Sequence, residues 1–155
     1  HKSELGEVFL NLENQKSVKE ALRKISKKHV IVEKMIEDTI VELLIGIVHD
    51  PAHGMLLTVG AGGVLTEILS DTSSLLLPSS RNEVLECFNQ LKISKIAKGY
   101  RGAQSVDINQ IIDAIMQIQD FVLDNRDKLF EIEINPLIVT NSEVIVADAL
   151  IRKVT

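Results

Sequence analysis

Apolar and polar positions follow two different rhythms along this chain. Val18, Leu22 and Ile25 recur at helical spacing behind Ser17-Val18-Lys19-Glu20, which has the form of a capping box, so a helix is predicted over 17–28. Its cations Arg23, Lys24, Lys27 and Lys28 gather toward the C-terminal end, where the helix dipole favours them, and read as a solvated face. Residues 29–36 and 39–48 are rich in Val and Ile and predict two strands, with a turn at 51–54 and a third strand over 55–59. A glycine loop at 60–63 leads into mixed apolar sequence through Leu77. Ser80-Arg81-Asn82-Glu83 is a second capping box, opening a helix that turns Val84, Phe88 and Leu91 inward. The strongest helical period lies over 107–123, with Ile108, Ile111, Ile112, Ile115, Ile118 and Val122 on one stripe. Strands over 130–140 and 144–151 close the chain. There is no internal repeat and no linker-like stretch, which predicts one α+β unit with a mostly antiparallel sheet and helices packed on one face.

Composition narrows the function classes. The 155 residues are 45% hydrophobic and 25% charged, which excludes disorder, and 8 Gly and 3 Pro exclude a fibrous chain. Four Phe, one Tyr and no Trp leave no stacking platform for bases, and a net charge of -5 argues against nucleic acid as a partner. The longest apolar run, 40–48, is interrupted by Glu42 and is too short to span a bilayer. Cys87 is the single cysteine, so no internal disulfide forms and a reducing, cytoplasmic setting is expected. The chain opens at His1 without a Met and is expected to be an excised fragment.

The chemistry concentrates near the end of the chain. Alternation in Glu131-Ile132-Glu133-Ile134-Asn135 puts Glu131, Glu133 and Asn135 on one face. Counting back from a two-residue turn at Asn141-Ser142 sets Asn135 directly opposite Asp148, with Cβ atoms about 4.5–5.5 Å apart, close enough for both oxygens to reach one ion. An amide oxygen, carboxylates and open positions suit Mg²⁺. On spacing alone, an ordinary polar outer face is the simpler reading, and Pro136 is positioned to introduce a bulge and break that register. The Gly60-Ala61-Gly62-Gly63 loop offers bare amides to an anion or makes a tight turn, the turn being the simpler reading. Lys2 precedes Gly6 closely enough to reach a phosphate, although a terminal lysine is more often solvated. His29, His49 and His53 lack zinc-ligand spacing with any cysteine.

Taken in order, HKSELG at the start, VEKM (32–35), Glu42 with Ile45-Gly46, Asp50-Pro51, GAGG with Glu67 and Asp71, GYRG (99–102), and EIEINPL (131–137) with Asp148-Ala149 resemble one family. It is the ATP-grasp domain of the ADP-forming (NDP-forming) acyl-CoA synthetases, related to the succinyl-CoA synthetase β subunit. The resemblance covers the whole chain and implies the C-terminal portion of an ATP-grasp fold, its front portion missing. It implies ATP/ADP and Mg²⁺ as cofactors and CoA and a carboxylic acid as substrates. CoA-binding and CoA-ligase domains are implied in the same chain or in a second subunit, with the fragment alone inactive. Glu33-Lys34-Met35 resembles the hinge strand that pairs with adenine, and Glu42 the acid on the ribose. Lys2 matches the phosphate-contacting lysine, Gly62, Gly63 and Arg101 fall in matching motifs as cofactor-binding residues, Asn135 and Asp148 match the Mg²⁺ ligands with Glu133 beside them, and His1 matches a candidate phosphoryl acceptor.

The chain also departs from the family pattern. Glu7 stands where a second glycine is usual, His53-Gly54-Met55 replaces Phe-Gly-Pro, and Leu75 and Leu150 stand where basic residues are usual. Phosphoryl transfer depends on charge stabilisation, so these changes also fit a second reading. That reading is a degenerate regulatory synthetase-like domain, as is found fused to protein lysine acetyltransferases.

Overall fold

The computed structural model describes residues 8–63 and 70–154 and divides into two compact units, residues 1–37 and 38–155. His1, Lys2, Glu7 and Glu67 lie outside the described residues. In the first unit, helix α1 runs over Gln15–Lys24 and is capped by Asn14, not Ser17. The Asn14 side chain accepts from the Ser17 amide at 3.0 Å, and the Ser17 hydroxyl accepts from the Asn14 amide at 3.2 Å. Ser17 thus occupies the position that Glu20 was expected to fill. The helix starts two residues early because Asn-x-x-Ser satisfies the same pair of orphan amides.

The strand expected over 29–36 does not form. Ile31 and Val32 are 85% and 72% exposed, and none of the sheet ladders includes them. β-Branched residues favour extended backbone, but a strand needs a partner to take its amides and carbonyls, and none of the described strands supplies one.

The second unit is built on six antiparallel strands: β1 Val41–Asp50, β2 Gly54–Ala61, β3 Thr72–Leu76, β4 Leu129–Val139, β5 Val144–Val146 and β6 Ala149–Lys153. Their order is β3-β2-β1-β4-β5, with β6 pairing β4 further along the same strand. β1 shows why the sheet has two unlike faces. Val41, Leu43, Ile45 and Ile47 are at most 3% exposed, while Glu42, Leu44, Gly46 and Val48 between them are half-buried. The buried side belongs to one core with Met55, Leu57 and Val59 of β2 and Ile132, Ile134 and Leu137 of β4.

Helices complete that core. Helix α2 (Arg81–Gln90) starts at the expected Ser80–Glu83 capping box and buries Val84, Cys87 and Phe88. A short helix, α3 (Ile93–Ala97), and a single 3₁₀ turn at Tyr100–Gly102 lead to α4 (Ile108–Asp124). Helix α4 buries Ile111, Ile112, Ile115 and Val122 of the expected stripe, together with Gln119. Gln119 is not a solvated exception: its amide accepts from the Ser79 N–H at 2.8 Å and donates to the Ser79 carbonyl at 3.1 Å. Burial pushes the Cys87 thiol above its ordinary range, which keeps it protonated and unreactive. The α+β architecture, the antiparallel sheet and the one-sided helix layer agree with the sequence expectation. Among the described residues no helix is long and apolar enough to cross a membrane.

Strand β3 and helix α3 were not expected from sequence. β3 reads Thr-Ser-Ser-Leu-Leu, too polar and too short to show a period, and it exists through its ladder with β2. Asp71 fixes the junction between the two elements. Its buried carboxylate accepts from the amides of Lys92 and Ile93 at 2.9 and 2.8 Å, satisfying two orphan donors at the start of α3. Asp71→Ala is expected to cost about 1–3 kcal/mol, because the buried Ile93 amide and the half-buried Lys92 bond lose a charged acceptor. Asp71→Asn, keeping one oxygen, is expected to cost less. Urea denaturation of the two variants checks the order.

Candidate functional site

The face of the sheet away from the helices carries the candidate residues. Glu42 and Gly46 of β1 alternate away from the core, and Gly46 pairs with Glu133 of β4. Asn135 and Pro136 come next on β4, at a break in its register with β1. Leu43 pairs with Leu137 and Ile45 with Ile134, so two residues of β4 stand opposite the single residue Leu44. This is a β-bulge, a device that re-aims a side chain locally.

On the other side of β4 the register holds. Val139 pairs with Val144 and Leu137 with Val146, while Ile134 pairs with Ala149 and Glu131 with Arg152, all in one frame. Between these two segments the Asn135 amide donates to the Asp148 carbonyl at 3.1 Å, and the Ala147 amide to the Pro136 carbonyl at 3.1 Å. Asn135 therefore lies opposite Asp148, as the count from the turn requires. The break that Pro136 was positioned to cause falls on the β1 side only.

The glycine loop enters the same place. The Gly62 amide donates to the Glu42 carbonyl at 2.8 Å, and the Gly63 amide donates to Asn135 Oδ1 at 2.8 Å. A Cβ on Gly62 would lie 2.5 to 2.9 Å from backbone atoms of Leu43, and one on Gly63 would lie 1.7 Å from Glu42 Oε2. Gly63 also adopts a φ of +60°, where a side chain is disfavoured. Four residues that the sequence treats as separate candidates, Glu42, Gly62, Gly63 and Asn135, are thus one connected group. The glycines allow the turn to press against β1, and both amides are engaged within the chain.

The remaining candidates are placed differently. Glu33, Lys34 and Met35 are exposed, in the non-regular segment of the first unit. Arg101 is exposed in the 3₁₀ turn with φ 52°, its guanidinium 5.3 Å from the Tyr100 ring. Among the described residues no hydrogen bond or ion pair ties Arg101 to Glu42, Asn135 or Asp148. Glu133 has Gly46 and Leu150 as its cross-strand neighbours, so no cation stands directly opposite it. Leu75 packs against the hydrophobic core, and His53 closes the β1–β2 turn. There Asp50 Oδ1 accepts from the Ala52 and His53 amides and pairs with His53 Nδ1 at 2.8 Å. That imidazole contact, with the two amides, holds the Asp50 carboxyl below its ordinary range.

The donor set fits a hard cation with few protein ligands. Among the described residues no group of three His, Cys, Asp or Glu is gathered as a closed cage. The Asn135 amide oxygen, the carboxylate of Asp148 on the residue opposite it and Glu133 two residues away offer oxygen donors only. Such a set suits Mg²⁺, which fills its octahedron with water and phosphate oxygens, and not a thiophilic metal.

With this geometry in view, the class of protein follows from comparison. The chain belongs to the ATP-grasp domain family, whose model matches residues 1–152. Within that class it belongs with the ADP-forming acid–CoA ligases. It is 30% identical to the β subunit of acetate–CoA ligase (ADP-forming) I from Pyrococcus furiosus, covering 96% of this chain and 68% of that subunit. It is 33% identical to acetate–CoA ligase (ADP-forming) of Methanocaldococcus jannaschii, covering 92% of this chain and 22% of that enzyme. The chain therefore spans about a fifth of that longer relative, 22%. A solved acetyl-coenzyme A synthetase 1 of Candidatus Korarchaeum cryptofilum superposes with a TM-score of 0.86 at 32% identity. The match covers 97% of this chain and 70% of that one. That protein was solved with coenzyme A and Mg-AMPPCP, its phosphohistidine segment pointing towards the nucleotide-binding site.

The two glycines predict unequal sensitivities. Gly62→Ala drives a Cβ into the Leu43 backbone and is expected to destabilise the fold by about 1–3 kcal/mol. Gly46→Ala meets nothing within 4 Å and is expected to be neutral or slightly stabilising. Thermal unfolding of the two variants side by side distinguishes them.

Proposed function

We propose that this chain is the nucleotide- and Mg²⁺-binding ATP-grasp part of an ADP-forming acyl-CoA synthetase. The reaction is acyl-CoA + ADP + phosphate ⇌ carboxylate + CoA + ATP. Phosphate displaces CoA from the acyl group, the acyl phosphate passes its phosphoryl group to a histidine, and the phosphohistidine passes it to ADP. The observation that carries this reading is the meeting of Asn135 with Asp148 across one hairpin, with Glu42 and the glycine loop joined to Asn135. Partners follow from the reaction: CoA-binding and CoA-ligase domains, in the same chain or in a second subunit.

Each residue has a defined part in that reading. Asn135 and Asp148, with Glu133 beside them, hold Mg²⁺, which when bound supplies charge neutralisation for the phosphates. Glu42 accepts from the ribose hydroxyls. Glu33, Lys34 and Met35 serve the adenine through their backbone, Lys2 serves the phosphates, and Arg101 belongs to the nucleotide-binding set, on the sequence pattern alone. His1 is the candidate acceptor on this side of the transfer. Gly62 and Gly63 contribute by allowing close backbone approach more than as a free anion nest, since both amides already have acceptors within the chain.

The test is calorimetric titration of ADP with Mg²⁺ into the full-length protein. Asn135→Ala and Asp148→Ala are each expected to weaken Mg-ADP binding by about 1–3 kcal/mol, the range for a lost charge-assisted contact. Unchanged affinity in the double variant would reduce the hairpin to structure. Failure of the unsubstituted protein to bind Mg-ADP at all would favour the regulatory reading.

A further inference from the structure

Asn135 sits in the bulge of β4, where neither ladder fixes its side chain. Its backbone amide is taken by the Asp148 carbonyl, which sets the main chain but leaves the side-chain torsions open. A free amide group can present either its oxygen or its nitrogen to a cation, and only the oxygen binds. Among the described residues the Asn135 side chain accepts from the Gly63 amide, 2.8 Å from Oδ1 across a sequence separation of 72 residues. A backbone N–H can pair only with the oxygen end. The Gly63 donor therefore excludes the flipped amide and leaves the second lone pair of Oδ1 for another partner.

The donor itself is held in place. The Gly62 amide is tied to the Glu42 carbonyl, a Cβ on Gly62 would strike Leu43, and the Glu42 carboxylate fills the space where a side chain on Gly63 would go. We infer that Gly63 is a positioning residue whose peptide N–H fixes the Asn135 amide oxygen toward the cation, with Glu42 packed so that nucleotide acid and metal ligand are set by one turn. This deepens the proposed function and rests on its reading of Asn135 as a metal ligand. The glycine loop acts on the metal side of the site, through a side chain, and not as a cradle around phosphate.

Manganese serves as the probe, titrated into the full-length protein with saturating ADP and followed by the loss of the free-ion EPR signal. Replacing the Gly62–Gly63 amide by an ester removes the N–H donor while adding no side chain, and is expected to weaken Mn²⁺ binding about fivefold, the size of one hydrogen bond. ADP binding without metal should stay within about twofold. Gly63→Ala is a genetically accessible second variant, which pushes Glu42 and the turn apart. It should weaken both Mn²⁺ and metal-free ADP binding, and adding Glu42→Ala should restore the Mn²⁺ affinity while leaving ADP binding weak. A merely structural glycine would lower the unfolding temperature without moving metal affinity in the folded protein. Asn135→Ala separates the two ideas. If it weakens Mn²⁺ binding while the ester does not, the inference about Gly63 falls and the metal ligand stands. If Asn135→Ala leaves Mn²⁺ binding unchanged, the metal reading falls and the inference with it.

Discussion

Strand β4 carries a proline in the middle of a six-stranded sheet, and a proline has no amide to donate, so a regular ladder on both sides is impossible there. The sheet resolves this asymmetrically. Toward β5 and β6 the frame continues through Asn135 and Pro136, because the Asn135 amide and the Pro136 carbonyl still find Asp148 and Ala147. Toward β1 the frame slips, and the residue that slips into the gap is Asn135. The turn count sets Asn135 opposite Asp148, and the missing donor breaks the frame toward β1, which lets the Asn135 side chain reach the glycine loop.

That arrangement depends on a rigid centre. β1 lies between β2 and β4 and buries four aliphatic side chains on its core side. Removing one such side chain costs about 2–5 kcal/mol in a close-packed core, so the strand has little room to shift. Its other side is then a fixed surface from which Glu42 can project, and against which the glycine turn can close. The helix layer contributes by holding the core, and Gln119, bonded to both backbone groups of Ser79, ties the β3–α2 connection to α4. Packing on one face fixes chemistry on the other.

Much of this was legible in the sequence, for identifiable reasons. The hairpin pairing of Asn135 with Asp148 follows from a short turn and strict alternation, both local signals. The Ser80 capping box and the isoleucine stripe of α4 are equally local. Residues 29–36 were misread because β-propensity reports only the chain's own preference, while a strand requires a neighbour that propensity cannot reveal. β3 was missed for the converse reason: Thr-Ser-Ser carries no signal of its own, and β2 imposes the extended form. The Gly63–Asn135 bond spans most of the second unit and has no sequence signature. The Asn-Pro pair at the end of an alternating run was the available hint, since it marks a place where the ladder must fail.

The departures from the family pattern also gain a physical account. Leu75 joins the apolar core, so its loss of charge is a packing choice at the edge of the sheet. Leu150 is different, because it lies directly opposite Glu133 on the face that carries the candidate ligands. A basic side chain at that position would be a cross-strand neighbour of Glu133, and opposite charges so placed attract each other. Leucine leaves Glu133 with Gly46 on one side and an uncharged neighbour on the other, so its carboxylate is not neutralised from across the strand. Leucine at this position therefore leaves the negative charge of Glu133 undiminished from across the strand, two residues from Asn135. Under the proposed function, a site whose acid has no cation across the strand leans more heavily on a bound divalent ion to balance the charge of the phosphates.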